Sequence, residues 1–191
     1  MEKKSTLTNE EKETFMRAAI EEAKKAQVLD EVPIGAVVVW NKKIIGRGYN
    51  LRETTQDATT HAEMMAIQEA CRQVNNFRLE EAQLFVTLEP CPMCSGAILL
   101  SRIEEVYFGA YDPKAGAAGS LMNLLEDQRF NHWCYLESRI LQEECGQLLT
   151  TFFRELRQRK KEEKAKRKEK LNCNIKCIKN FKNLYRQRIT Q

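Results

Sequence analysis

The chain has 191 residues, of which 42% are hydrophobic and 30% are charged, and its formal net charge is +4. This length gives room for one domain with a substantial hydrophobic core and a short extension. No apolar run approaches the roughly 18 residues that a membrane-spanning helix needs, and the chain starts with Met-Glu-Lys-Lys, without an apolar signal core. We therefore expect no membrane association and a cytoplasmic location.

The basic charge is concentrated at one end of the chain. Residues 154–191 contain 15 Lys and Arg against 4 Glu, whereas residues 1–153 contain 16 basic and 23 acidic residues. Such a basic segment suits a polyanion such as RNA, or it is a solvated helix that binds nothing, and both interpretations stay open. The seven cysteines are expected to be reduced, because their number is odd and no export signal precedes them.

Hydrophobic periodicity predicts strands that alternate with helices. Thr8 and Glu11 have capping-box spacing at the start of the first helix. A polar stretch, residues 51–60, is predicted to be a loop, so that His61 begins a helix. The predicted elements are a helix at 8–28, a hairpin of strands at 32–40 and 44–49, a helix at 61–74, a strand at 83–88, a helix to about 101, a strand at 105–110, a weak strand at 133–138 and a helix from 142 to about 157.

This order predicts an α/β domain with helices on both faces of a mixed sheet, because the opening hairpin is antiparallel. We expect this domain to span residues 1–157. Residues 158–191 are expected to form a basic C-terminal extension, helical or disordered, since residues 158–170 are almost wholly Lys, Arg and Glu. Cys173 and Cys177 have no second pair of ligands nearby, so we interpret their spacing as a coincidence.

Three residues in two short motifs indicate a metal site. Cys91 and Cys94 stand three apart, which puts both sulfur atoms on one face of a helix. The positive end of that helix lowers the pKa of a cysteine and favours the thiolate that binds zinc. His61 makes a third ligand, and catalytic zinc sites have three protein ligands and a water, whereas structural sites have four. We predict one zinc ion on His61, Cys91 and Cys94.

Glu63 is the predicted proton shuttle of this site. Zinc lowers the pKa of water toward neutrality and supplies a hydroxide nucleophile, and Glu63 lies two residues after His61, near the metal but free to move protons. His-x-Glu followed by Pro-Cys-x-x-Cys is the signature of the zinc deaminases of nucleobases. Two alternatives stay open: a structural zinc site with a fourth protein ligand, and a redox dithiol, which leaves the pairing of His61 with Glu63 unexplained.

From about Thr8 to Arg157 the chain resembles the bacterial tRNA-specific adenosine deaminases. Three motifs narrow the resemblance to these enzymes: the run Gly-Ala-Ala-Gly-Ser, the pair Asn-His, and Phe-Phe-Arg. The other motifs occur across the cytidine deaminase-like superfamily. Ser95 departs from the alanine that the family often has, and the tail after Arg157 is longer than the family needs. The motifs that carry the resemblance lie at residues 32–37, 50, 60–63, 87–97, 109–114, 116–120, 131–132 and 152–154.

The resemblance implies a three-layer α/β/α sandwich with a mixed five-stranded sheet, and a homodimer with one zinc ion per subunit. It implies hydrolytic deamination of adenosine to inosine at the wobble position of an arginine tRNA. Asn50 would hold the flipped adenine or its ribose. The remaining substrate-binding residues, implied to contact the anticodon stem-loop, are Asp112, Lys114, Asn131, Phe153 and Arg157. Adjacent helix positions point about 100° apart, so we expect one of Phe152 and Phe153 to be buried.

Two other functions are compatible with the motifs. A deaminase of a free base or nucleoside, such as guanine or cytosine, would share the fold but would not require the basic C-terminal helix with Phe153, Arg154 and Arg157. A non-catalytic, zinc-stabilised module that binds nucleic acid would have four protein ligands and no need for Glu63.

Overall fold

A computed structural model describes the backbone of residues 3–189 and the side chains of residues 3–168. Cys173 and Cys177 therefore lie outside the described side chains. The chain divides between Thr150 and Thr151 into two compact units, and the boundary after residue 157 stays a prediction. No helix in the described part of the chain is long and apolar enough to cross a membrane.

The first unit contains a five-stranded sheet with the strand order β2-β1-β3-β4-β5. Strand β1 runs antiparallel to β2 and β3, whereas β3, β4 and β5 are parallel. The predicted mixed sheet is therefore confirmed. The elements are α1 (Asn9–Val28), β1 (Gly35–Trp40), β2 (Lys43–Tyr49), α2 (Arg52–Thr55), α3 (Ala62–Val74), β3 (Gln83–Leu88), α4 (Pro92–Leu100), β4 (Glu105–Ala110), β5 (Tyr135–Ser138) and α5 (Gln142–Ile189), which continues into the second unit.

Both faces of the sheet are covered by helices. Since successive side chains of a strand point to opposite sides, neighbouring residues of one strand belong to different hydrophobic clusters. On β1, Val37 belongs to the hydrophobic cluster that contains Met16 of α1. Its neighbour Val38 belongs to the cluster that contains Ala66 of α3 and Ile98 of α4. Helix α1 therefore covers one face and helices α3 and α4 cover the other, which confirms the three-layer α/β/α arrangement.

One element differs from its prediction, and another decides between two expectations. Helix α2 lies inside the stretch expected to be a loop, where Thr54 N donates a hydrogen bond of 2.6 Å to Glu31 Oε1. This partner is distant in sequence, so local polarity did not reveal the helix. Helix α5 continues to Ile189, so the C-terminal extension takes the helical one of its two expected forms. Lys, Arg, Glu and Ala favour helix without a buried face.

Helix α3 approaches strand β2 closely because the strand has a glycine at the contact. A Cβ atom on Gly48 would lie 2.2 Å from Ala62 O and 2.5 Å from Ala66 N. The backbone of the first turn of α3 therefore rests directly on β2. Since this turn follows His61, the contact also sets the position of the predicted metal ligand.

We expect Gly48→Ala to lower the free energy of unfolding by about 2–3 kcal/mol, because the new methyl group must displace helix backbone. Gly146→Ala is the control, because Gly146 lies in α5 and its added Cβ would have nothing within 4 Å. This substitution should raise the free energy of unfolding by about 0.5–1 kcal/mol. Urea unfolding followed by circular dichroism measures both. Equal midpoints for the two variants would show that the packing of α3 on β2 does not depend on a glycine at position 48.

Candidate metal centre and active site

The predicted zinc ligands lie at the starts of two helices. His61 is the N-cap residue of α3, and Cys91 is the N-cap residue of α4. Neither side chain makes a capping hydrogen bond to its own helix. Pro92 occupies the first turn of α4, where its missing N–H is not needed, and Cys94 lies one turn into the helix. Both ligand segments therefore present side chains that their helices do not use.

The three ligand atoms have the spacing that zinc requires. His61 Nδ1 lies 3.6 Å from Cys91 Sγ and 3.5 Å from Cys94 Sγ, and all three atoms lie within 4.8 Å of one another. Tetrahedral zinc with Zn–S of about 2.3 Å and Zn–N of about 2.05 Å separates sulfur from nitrogen by about 3.6 Å. The residues present therefore fit a zinc ion.

No fourth His, Cys, Asp or Glu joins this group among the described residues. The second histidine of the chain, His132, places Nε2 at 2.7 Å from Ile103 O instead. Cys134 and Cys145 are buried, and Cys71 is half-buried. In the described part of the chain, the ligand set therefore has the three members of a catalytic site, not the four of a structural one.

The charge state of the two cysteines differs when no cation is present. Hydrogen bonds from Cys94 and from His61 lower the pKa of Cys91 to about 4. The same bond to Cys91 raises the pKa of Cys94, and burial raises it further. The hydrogen bond with the Cys91 thiolate raises the pKa of His61. A divalent cation would replace the retained protons, because a thiol that coordinates a metal is deprotonated.

Glu63 lies beside this cluster and is buried. Glu63 is 4% exposed. This burial raises the pKa of its carboxyl group to about 7, while the charge of His61 opposes that rise. A carboxyl group with a pKa near neutrality can both take and release a proton at working pH. A cation on the neighbouring ligands would lower this pKa, since it favours the carboxylate.

Sequence reasoning did not identify Glu89 as a functional residue, although it holds a loop against the cysteine motif. The loop, residues 112–120, donates four hydrogen bonds to this buried carboxylate, from Asp112 N, Ala118 N, Ser120 N and Ser120 Oγ. Ala117 N also donates to Pro90 O at 2.8 Å. In the sequence, the sign of such a role for Glu89 is that a charged residue directly follows Leu88, at the end of a buried strand.

Asn50 lies close to the segment that carries His61. It follows the last residue of β2 and is 4% exposed. The next backbone amide, Leu51 N, donates to Thr60 O at 3.0 Å, and Thr60 directly precedes His61. Asn50 Nδ2 donates to Glu31 Oε2 at 3.0 Å. A second buried carboxylate therefore orients the Asn50 side chain, and the backbone next to Asn50 is bonded to the segment that leads into His61.

The other predicted substrate-binding residues lie in loops and in α5. Asp112 Oδ1 accepts a hydrogen bond of 2.9 Å from Lys114 N in the loop that Glu89 holds. Asn131 is exposed between β4 and β5, and Arg157 is exposed in the second unit. Of the phenylalanine pair, Phe152 is 4% exposed and Phe153 is 40% exposed, as expected. Contacts of these residues with RNA stay predictions.

Residues 9–110 match the family of the cytidine and deoxycytidylate deaminase zinc-binding region. The chain is similar to the tRNA-specific adenosine deaminase of Bacillus subtilis (strain 168), with 59% identity over 149 residues, which are 78% of this chain and 92% of the relative.

Two solved structures are also similar. One belongs to a study of A-to-I editing by tRNA:A34 deaminases at the wobble position of transfer RNA. Its TM-score is 0.69 at 40% identity, over 71% of this chain and 99% of that one. The other is the guanine deaminase of Bacillus subtilis, with a TM-score of 0.52 at 38% identity, over 56% of this chain and 69% of that one.

The matched region includes His61, Glu63, Cys91 and Cys94, so the family and the zinc cofactor predicted from the motifs are confirmed. The identity to the curated relative extends the match well beyond these motifs. The chain belongs to the tRNA-specific adenosine deaminases, within the zinc-binding family of the cytidine and deoxycytidylate deaminases.

Proposed function

We propose that this protein hydrolytically deaminates adenosine to inosine at the wobble position of a tRNA anticodon. The observation that carries the proposal is the arrangement of three ligand atoms within 4.8 Å of one another, next to the buried carboxyl group of Glu63. The substrate follows from the relatives, which are named tRNA-specific adenosine deaminases. An arginine tRNA is the species that we propose.

His61, Cys91 and Cys94 would hold zinc, which when bound activates the water that attacks the purine. Glu63 takes the proton of this water and delivers it to the departing amino group, so that water is consumed and ammonia leaves. Its position supports this role, because burial raises the pKa of Glu63 and favours the protonated form, whereas a cation on the neighbouring ligands favours the carboxylate. A proton shuttle must adopt both forms.

Asn50 has a defined orientation for its role in substrate binding. The Glu31 carboxylate only accepts hydrogen bonds, so Asn50 must turn its NH₂ group toward it, as the 3.0 Å contact shows. The amide oxygen of Asn50 then remains to accept a hydrogen bond from the purine or its ribose. A base extruded from the anticodon loop presents such donors.

The remaining substrate-binding residues would contact the anticodon loop. Unpaired bases are recognised by stacking on aromatic rings and by hydrogen bonds to their edges, while Lys and Arg bind phosphates. Phe153 offers an exposed ring, Lys114 and Arg157 offer exposed cations, and Asp112 and Asn131 offer hydrogen-bonding groups. The deaminase domain would end at residue 157, with residues 158–191 as a basic extension.

We also propose a homodimer that works in the cytoplasm. The dimer follows from the resemblance to the family. Leu100, Leu121 and Met122 are 77%, 57% and 47% exposed, and they are side chains that a subunit contact would cover. The cytoplasm provides both the tRNA substrate and the reducing conditions that keep Cys91 and Cys94 as metal ligands.

The substrate is tested by incubating the purified protein with tRNA that bears adenosine at the wobble position, and separately with free adenosine, guanine and cytosine. We expect inosine in the tRNA and no comparable turnover of the small substrates. Chromatography of nucleosides after digestion measures the products. Preferential deamination of guanine would instead favour the activity of the similar guanine deaminase.

We expect Glu63→Gln to keep zinc and fold but to lower the rate of inosine formation by about 10²–10⁴-fold, because the proton shuttle is lost. Glu69→Gln is the matched control, since Glu69 lies in the same helix but is exposed and accepts a hydrogen bond from Arg47 N. Single-turnover rates and zinc content measure the effect. Wild-type turnover by Glu63→Gln would show that Glu63 is not the shuttle.

A further inference from the structure

The described side chains of the second unit include a helical segment, residues 154–168, whose charges are sorted by face. Successive positions of an α-helix rotate by about 100°. By this rotation, one face about 140° wide carries basic residues and no acidic residue. These residues are all exposed, and they are Arg154, Arg157, Lys160, Lys161, Lys164, Arg167 and Lys168.

The acidic residues of the segment lie on its other side. Glu155, Glu162 and Glu163 share that side with Arg159 and Lys166. Among the described side chains, none of the seven cations of the basic face has a carboxylate within the 4.0 Å of a salt bridge. Cations and carboxylates three or four apart stabilise a solvated helix. Arg159 and Lys166 have such partners, whereas five of the seven cations of the basic face have no Glu three or four positions away.

The basic face is also long and continuous. Five of its residues follow one another at intervals of three and four positions from Arg154 to Lys168. At a rise of about 1.5 Å per residue, they extend over about 21 Å. A nucleic acid strand carries a phosphate about every 3.4 Å along a duplex axis, so this line of cations can follow several phosphates in succession.

We infer that this basic face binds the phosphate backbone of RNA. The assignment of that RNA as the substrate tRNA rests on the proposed function. Lys and Arg side chains supply a charge interaction without base recognition, so the face adds affinity for the tRNA, while the choice of adenosine belongs to the site in the first unit.

The test compares two double variants that each remove one Lys and one Arg from the same helix. Lys164→Gln with Arg167→Gln changes the basic face, and Arg159→Gln with Lys166→Gln changes the other side. We measure tRNA binding by fluorescence anisotropy between about 50 and 200 mM salt. The first variant should reduce the steepness of log Kd against log salt by about 1.4–1.8, at 0.7–0.9 per lost phosphate contact, and the second should resemble the wild type.

Equal effects of the two double variants would overturn the inference, because only the total charge would then matter. Equal displacement of the tRNA by polyglutamate and by competitor RNA of the same charge would also overturn it, in favour of an acidic protein partner. Inosine formation is scored separately. Face-dependent binding without inosine would refute the proposed function alone, and inosine without face dependence would refute this inference alone.

A separate observation concerns Glu89, which is 3% exposed. Each of its four hydrogen-bond partners in the loop at residues 112–120 is a donor. Gly116 leaves space for the carboxylate, since a Cβ atom there would lie 2.2 Å from Glu89 Cδ. The loop is therefore built around a group that offers only acceptors, and it carries Asp112 and Lys114.

We propose that Glu89 is a positioning residue that sets the RNA-binding conformation of this loop. The proposal rests on the proposed function for its substrate. Glu89→Gln keeps the size of the side chain but turns an NH₂ group against backbone donors, so the loop must rearrange. Loss of the ordered loop should weaken RNA binding more than it slows the chemical step.

Glu105→Gln is the matched control, because Glu105 is also 3% exposed and accepts from Thr6 N and Gln83 Nε2 at the opposite end of β4. We expect Glu89→Gln to raise KM for an anticodon stem-loop at least tenfold, with kcat within twofold and full zinc content. Glu105→Gln should leave KM unchanged. Gly116→Ala, which pushes against the carboxylate, should reproduce the KM effect.

Hydrogen exchange of residues 112–120 gives a readout that does not depend on RNA. Faster exchange in Glu89→Gln than in Glu105→Gln supports the positioning role even if the wild type does not act on tRNA, in which case only the proposed function fails. Wild-type exchange and wild-type KM in Glu89→Gln would overturn the role of Glu89.

Discussion

The structure depends on the convergence of two helix starts at one point. A zinc ion requires ligand atoms about 3.6 Å apart, and here they come from segments thirty residues apart in the chain, at His61 and Cys91. Because Gly48 of β2 has no side chain, α3 can approach the sheet closely. Strand β3 ends at Leu88, shortly before Cys91 and the start of α4. The layers of the fold therefore determine the geometry of the metal centre.

Burial gives the residues around this centre their different chemical roles. His61 and Cys91 are half-buried and Cys94 is fully buried. Glu63 is almost fully enclosed, and in the absence of a cation its pKa rises to about 7 for that reason. Two further carboxylates, Glu31 and Glu89, are also buried, but hydrogen-bond donors surround them. One buried carboxyl group can therefore move protons, while the other two orient Asn50 and the loop that follows β4.

The features that were predictable from the sequence are those encoded by neighbouring residues. The capping box of α1, the strands and the ligand positions at helix starts all follow from local spacing. Helix α2 and the roles of Glu31 and Glu89 were not predictable, since their partners lie 19 to 31 residues away. The choice between a helical and a disordered C-terminal extension stayed open, because its charged residues have no apolar period.

The central claim is that the metal centre has three protein ligands and one open position. Zinc K-edge X-ray absorption of the full chain tests it most directly. We predict two sulfur neighbours at about 2.3 Å and two nitrogen or oxygen neighbours at about 2.0 Å, one of which exchanges with added ligands such as cyanide. Three or four sulfur neighbours, or a coordination shell that no small ligand can enter, would contradict the account.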